Sequence, residues 1–264
     1  MTNGEVPLSG GNMSSGVVRV GDTVRRPAGP WTPAVHALLT HLHGAGFEGA
    51  PRPLGLDEHG REVLTFVPGA VAWPDHFHLL DGDAQVRRVA RLIRDFHDAV
   101  AGFSAPPGAR WQALMPVVGD EIIAHHDLAP WNLVIGERQW AFIDWDTAAP
   151  GTRLWDLAYA MHGFVPLSAD PAFKRADAGR RMRLIADAYD LTEGQRLELI
   201  PLLEEITTRT IATEHLPAQP GDVDRTGGSI ERAHDLLGWE PSVDLADGLR
   251  AQLDHLRTIG SWVD

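Results

Sequence analysis

Through the first quarter of the chain, apolar residues come in short runs separated by turn formers. Val17-Val18-Arg19-Val20 and Thr23-Val24-Arg25-Arg26 flank Gly21-Asp22, with Pro27 closing the second run, a pattern that predicts a β-hairpin. The period then changes. Behind Pro33, residues Val35, Leu38, Leu39 and Leu42 recur at helical spacing, so a helix is expected from Thr32, as N-cap, to His43. Two more strands, Pro53-Leu54-Gly55-Leu56 and Glu62 to Val67, are expected around the turn Asp57-Glu58-His59-Gly60, and Pro68-Gly69 breaks the pattern. Beyond it the spacing is helical. Val86, Val89, Ile93, Phe96 and Val100 form one stripe of a helix over 83–100, and further helices are expected over 171–190 and 193–215. A sheet-rich first third followed by helices indicates segregated α+β structure.

Polar residues with chemical potential concentrate between 122 and 157. The apolar run Ile122-Ile123-Ala124 leads into His125-His126-Asp127-Leu128-Ala129-Pro130-Trp131-Asn132. Leu133-Val134-Ile135 and Trp140-Ala141-Phe142-Ile143 then flank a turn and deliver Asp144-Trp145-Asp146. The carboxylates and the asparagine therefore stand at the mouths of short strands, on loops held open by Pro130. Phosphoryl transfer asks little else of a protein: a carboxylate to orient and deprotonate an acceptor hydroxyl, and oxygen ligands for a Mg²⁺ ion that bridges phosphates. A His-x-Asp-x-x-x-x-Asn loop can supply the base and one metal ligand, and an Asp after the next strand pair can supply the other.

His125 to Asn132 followed by Ile143-Asp144-Trp145-Asp146 resembles the aminoglycoside phosphotransferase and choline kinase family, relatives of the protein kinases, over roughly residues 8–215. The resemblance implies a two-lobed, protein kinase-like fold: an antiparallel-sheet lobe with one helix over 1–68 that binds nucleotide, and a mainly helical lobe over 69–218. It implies Asp127 as catalytic base, Asn132 and Asp144 as Mg²⁺ ligands, His125 as a brace of the loop, and Asp156 as a structural carboxylate behind it. ATP or GTP would be the phosphate donor. Where the family places a loop over the phosphates, this chain has Ser9 to Gly16, making Gly10, Gly11 and Ser14 candidate nucleotide contacts; the alternative is a flexible N-terminal segment. Where the family has a phosphate-binding lysine this chain offers Arg25 or Arg26; the resemblance favours Arg25, leaving Arg26 on the opposite face of the strand. The glutamate that would pair with it is missing from the following helix, which reads Val35-His36-Ala37-Leu38.

Other patterns lead elsewhere. Gly44-Ala45-Gly46-Phe47-Glu48-Gly49 matches the dinucleotide-binding glycine spacing, but it follows a helix and precedes Pro51, so a helix terminus and turn are expected. His97-Asp98, His126-Asp127 and Asp144 imitate the ligands of His-Asp metallophosphohydrolases; Pro130 speaks against that, and His97 is expected to face the loop or core. Trp131, Trp145 and Trp155 are expected to pack around the loop. Residues 219–264 resemble the C-terminal segment of nucleotide-sugar epimerases; with no Rossmann glycine loop elsewhere, they bring no NAD chemistry.

Composition narrows the partners. A formal net charge of −13 disfavours nucleic acid and anionic membrane surfaces and favours a cationic small acceptor. The chain has no cysteine, which removes disulfides and thiolate chemistry, and no basic leader or apolar run of membrane-spanning length, so a cytoplasmic location is expected. The expected activity is transfer of the γ-phosphate of ATP or GTP to a hydroxyl of a small molecule such as an aminoglycoside or other antibiotic, a sugar or an amino alcohol. The alternative is a non-catalytic nucleotide- or ligand-binding resistance or immunity protein on the same fold. The short interval from Asp144 to Pro150-Gly151-Thr152 leaves little room for the peptide-docking segment of a protein kinase.

Overall fold

The computed structural model describes residues 4–8, 16–113, 119–167 and 175–211, together with 243, 247, 248 and 251. The chain forms two compact units, 1–212 and 213–264. The expectations for Gly10, Gly11 and Ser14 and for the epimerase-like tail fall outside the described residues.

Strands β1 (Val6–Pro7), β2 (Val18–Val20), β3 (Thr23–Arg26), β4 (Pro53–Leu56) and β5 (Glu62–Thr65) form one antiparallel sheet in the order β1-β2-β3-β5-β4. The hairpin falls where the alternation placed it. Helix α1 (Thr32–Gly44) joins β3 to β4 and buries Val35, Leu38, Leu39 and Leu42. Its cap lies one residue earlier than expected: Trp31 holds the N-cap position, and the Thr32 hydroxyl accepts instead from the backbone N–H of Gly29 at 2.9 Å. At the other end, the N–H groups of Ala45 and Phe47 return to His41 and Leu42, and Gly46 has a positive φ of 82°. The glycine pattern there is a helix stop.

The second part of the unit begins with β6 (Ala70–Val71), which pairs with β8 (Leu133–Ile135), itself paired with β9 (Trp140–Phe142). β7 (Ile122–Ala124) pairs with β10 (Ala149–Gly151). Helix α2 (Asp83–Val100) packs against α4 (Ala178–Tyr189), and α3 (Arg153–Phe164) against α5 (Glu193–Thr207). α2 matches its expected span and turns Val86, Val89, Ile93, Phe96 and Val100 into the core. Among the described residues no helix is long and apolar enough to cross a membrane.

Three helices depart from expectation. α4 starts at Ala178 because the Arg175–Asp177 ion pair closes a turn just before it. α5 stops at Thr207: Thr208 is left-handed (φ 52°), and the run Thr207-Thr208-Arg209-Thr210-Ile211 is rich in β-branched residues that form helices poorly. α3 was not anticipated as a helix. Its start signal is Thr152, whose hydroxyl accepts from the Trp155 N–H at 3.2 Å. Between the two parts, a Cβ on Gly69 (φ 152°) would stand 2.6 Å from the Ile135 carbonyl oxygen, and one on Gly136 2.5 Å from that of Pro68. Only glycine lets these backbones meet so closely.

Candidate active site

Strand pairing brings the polar loop residues together. β7 ends at Ala124, and the chain turns at His126, which takes a left-handed φ of 64°, before presenting Asp127. A single 3-10 turn over Pro130–Asn132 then feeds β8. On the neighbouring segment the Ile143 N–H donates to the Asn132 carbonyl at 2.8 Å, so Asp144, also left-handed (φ 61°), emerges next to Asn132. Positive φ is an uncommon backbone region for residues other than glycine, and two such residues flank this loop.

The Asp127 carboxylate is held by three side-chain donors. Asn132 Nδ2 lies 2.7 Å from Oδ2, the Tyr159 hydroxyl 3.1 Å from Oδ1, and the Trp131 indole N–H 3.1 Å from Oδ1. Burial nevertheless raises its pKa above the ordinary aspartate value, these donors and His125 offsetting only part of the effect. His125 is entirely buried. Its Nε2 lies 3.1 Å from the Ile143 carbonyl and its Nδ1 accepts from the Asp127 N–H at 3.3 Å. Burial pushes its pKa down, and the ring's contacts join the backbone at Asp127 to that at Ile143.

Asp156, on α3, lies behind the loop. Oδ2 accepts from the His125 N–H at 3.0 Å, Oδ1 from the His126 N–H at 2.9 Å, and His97 Nε2 of α2 is 3.1 Å from Oδ2. Burial works to raise its pKa, but these bonds and the neighbouring imidazoles outweigh it and hold the carboxyl below its ordinary value. His97 thus faces the core, its Nδ1 2.6 Å from the Tyr189 hydroxyl.

The cation at the site is Arg26, which corrects the placement of Arg25. Arg25 turns outward to the Thr23 hydroxyl (2.5 Å) and toward Asp57 (3.7 Å). Side chains alternate along β3, and Arg26 faces inward in register with Glu62 on β5. Its Nε donates to Glu62, Nη1 to Asp144 at 3.0 Å and Nη2 to Asp146. Burial alone would lower the Arg26 pKa, but Asp146, Glu62 and Asp144 together hold it above the ordinary guanidinium value. Burial pushes Asp146 up to about 6, Arg26 opposing this and the like charges of Asp144 and Glu62 adding to it. The carboxylate missing from α1 is present after all, on the neighbouring strand: Glu62 accepts from Arg26, and His36 Nε2 of α1 lies 2.9 Å from its Oε1.

Among the described residues no three His, Cys, Asp or Glu side chains form a metal cage. Asn132 and Asp144 offer an amide and a carboxylate oxygen on adjoining backbone, a hard-oxygen pair suited to a divalent cation completed by phosphates and water. Trp145 and Trp155 pack as expected, against His125 and His126 at ring separations of 4.6 and 4.9 Å. Trp131 does not: it is 38% exposed and serves Asp127.

Residues 108–189, which include this loop, match the sequence profile of the phosphotransferase enzyme family. The trifolitoxin immunity protein of Rhizobium leguminosarum bv. trifolii is 32% identical over 206 residues, covering 74% of this chain and 77% of that protein. The chain belongs to the phosphotransferase enzyme family. The fold agrees. The amicoumacin kinase hAmiN, solved in complex with AMP-PNP, Ca²⁺ and Ami, superposes at a TM-score of 0.57 with 10% identity, covering 75% of this chain and 77% of that one. A choline/ethanolamine kinase family protein from Mesorhizobium loti superposes at 0.50 with 15% identity, covering 74% of each. Asp127, Asn132 and Asp144 come together at one loop mouth in the structure. Arg26 was offered but passed over for Arg25, and Glu62, His36, Trp131 and Tyr159, which complete the cluster, were not expected in it. The exposed-looking pair Arg25-Arg26 concealed which side chain turns in, and Tyr159 belongs to the unanticipated α3.

Proposed function

We propose that the chain transfers the γ-phosphoryl group of ATP or GTP to a hydroxyl of a small molecule, with Mg²⁺ as cofactor. The observation that carries this reading is the Asp127 carboxylate, oriented by three donors at a loop mouth beside Asn132 and Asp144. Asp127 would take the proton of the acceptor hydroxyl as its oxygen bonds to the γ-phosphorus and the bond to the bridging β,γ-oxygen breaks. Mg²⁺ held by Asn132 and Asp144 would supply neutralisation of the phosphate oxygens. The relative's name supports an antibiotic or toxin as acceptor, and the net charge of −13 favours a cationic one.

A second reading, ligand sequestration without turnover, draws on that same relative and on Arg26 occupying Asp144. Incubation with ATP or GTP and a panel of aminoglycosides, other hydroxylated antibiotics, sugars and amino alcohols separates the two. The expected result is one acceptor class gaining a phosphate by mass. Binding of a panel member with no phosphate gained under any condition would leave sequestration as the function.

The base assignment carries a pH signature. The Tyr159 hydroxyl stabilises the ionised Asp127, so Tyr159→Phe is expected to raise the Asp127 pKa further and move the acid limb of kcat/KM to higher pH. An acid limb that stays in place would separate the limb from Asp127.

A further inference from the structure

The Arg26 guanidinium touches three carboxylates from two segments of chain, Glu62 on β5 and the pair Asp144 and Asp146 after β9, and the three contacts are unequal. Glu62, bound through Nε, has 1% of its side chain exposed and is fixed on its other oxygen by His36 of α1. Asp144 and Asp146, bound through the two terminal nitrogens, are 34% and 16% exposed. One face of the guanidinium is anchored in the fold, and the other rests on groups that solvent and ions can reach. Three carboxylates to one guanidinium also leave two negative charges uncompensated, the charge of one divalent cation. Confining like charges at low solvent exposure is unfavourable, and a divalent cation at the exposed side of the cluster would relieve it.

We infer that Arg26 is a resident counter-ion, pivoted on Glu62, that occupies Asp144 and Asp146 until a divalent cation displaces it and its terminal nitrogens turn to the nucleotide phosphates. The inference rests on the phosphotransferase reading. A guanidinium suits the exchange because its planar fork can release two parallel N–H donors while keeping Nε bonded, and the same two donors fit a phosphate. Glu62 and His36 act as positioning residues that keep the pivot in place.

The consequence is a pair of effects of opposite sign. Arg26→Lys keeps a charge for Glu62 but cannot span Asp144 and Asp146 together. It is expected to bind Mn²⁺ alone, followed by electron paramagnetic resonance, about tenfold more tightly than the wild type, the order of one charge-assisted hydrogen bond removed from competition. The same variant, saturated with Mn²⁺, is expected to bind AMP-PNP more weakly. Arg26→Gln/Glu62→Gln, which removes the buried pair together, is expected to show the same two changes. Loosened folding would weaken both affinities together, and that result, or an unchanged Mn²⁺ affinity in the folded Arg26→Lys protein, overturns the inference. Phosphate transfer is read separately: active wild type with unchanged Mn²⁺ affinity in the variants sinks this inference alone. Tightened Mn²⁺ binding without transfer to any acceptor supports it and counts against turnover.

Discussion

Replacing Asp127 with alanine is expected to lower phosphate transfer by about 10²–10⁴-fold while nucleotide affinity stays close to that of the wild type. The asymmetry follows from where the carboxylate points. Asp127 bonds to Trp131, Asn132 and Tyr159, whereas Arg26 and Asp144, the groups proposed to meet the metal and nucleotide, bond to each other. The loop should survive the change, because Asn132 also donates to the Asp127 backbone carbonyl at 3.0 Å, a bond that alanine retains. Single-turnover kinetics beside calorimetry of AMP-PNP binding would read both halves. Wild-type turnover in Asp127→Ala would remove Asp127 from the role of base, and a parallel loss of nucleotide affinity would mean the loop had collapsed.

The largest effect on stability is expected at Asp156. Its carboxylate is completely buried and satisfies the His125 and His126 amides and the His97 ring. Asp156→Ala leaves two buried N–H groups and an imidazole without their acceptor, and should cost about 3–5 kcal/mol, the range for breaking one side of a buried ionic network. The pH dependence has a definite sign. Because the folded-state pKa is depressed, the stabilisation is present above the unfolded value of about 3.9 and fades as pH falls through the folded one. Urea unfolding of wild type and variant should therefore differ most near neutrality and converge in strong acid. A difference that is small at neutral pH, or that grows on acidification, would show that Asp156 is not the anchor of the loop.

The sequence exposed the site unevenly, for physical reasons. Asp127, Asn132 and Asp144 were legible because they sit on consecutive strand ends, where chain spacing and spatial spacing coincide. His125 and Asp156 followed with them. Arg26 was not legible: a two-residue period assigns faces only once the register is known, and two arginines in succession present one to each side. The carboxylate partner was sought one helix away and lies across the sheet, in Glu62, a pairing that depends on β3 and β5 coming together. Helix stops at Gly44 and Val100 were read well, since local chemistry ends those helices. The early end of α5 at Thr207 was not, because it is set by the left-handed turn at Thr208, a residue type that rarely marks such a stop.

The backbone crossing at Gly69 and Gly136 limits how the two parts of the unit can move. On one side of it, the Phe66 N–H is tied to the Asp22 carbonyl at 2.9 Å, in the turn between β2 and β3. On the other, β6 is already hydrogen-bonded to β8, and neither glycine position has room for a Cβ. Slack in the strap is confined to Val67 and Pro68, and the proline ring fixes one of their torsions. The strap is not the sheet's sole tie: the Phe142 N–H donates to the Gly49 carbonyl at 2.9 Å and α1 packs against α2. With ties at the strap, at Gly49 and along α1, the backbones that carry Arg26 and Asp144 are held at a fixed spacing, and room for a nucleotide has to come from the side chains.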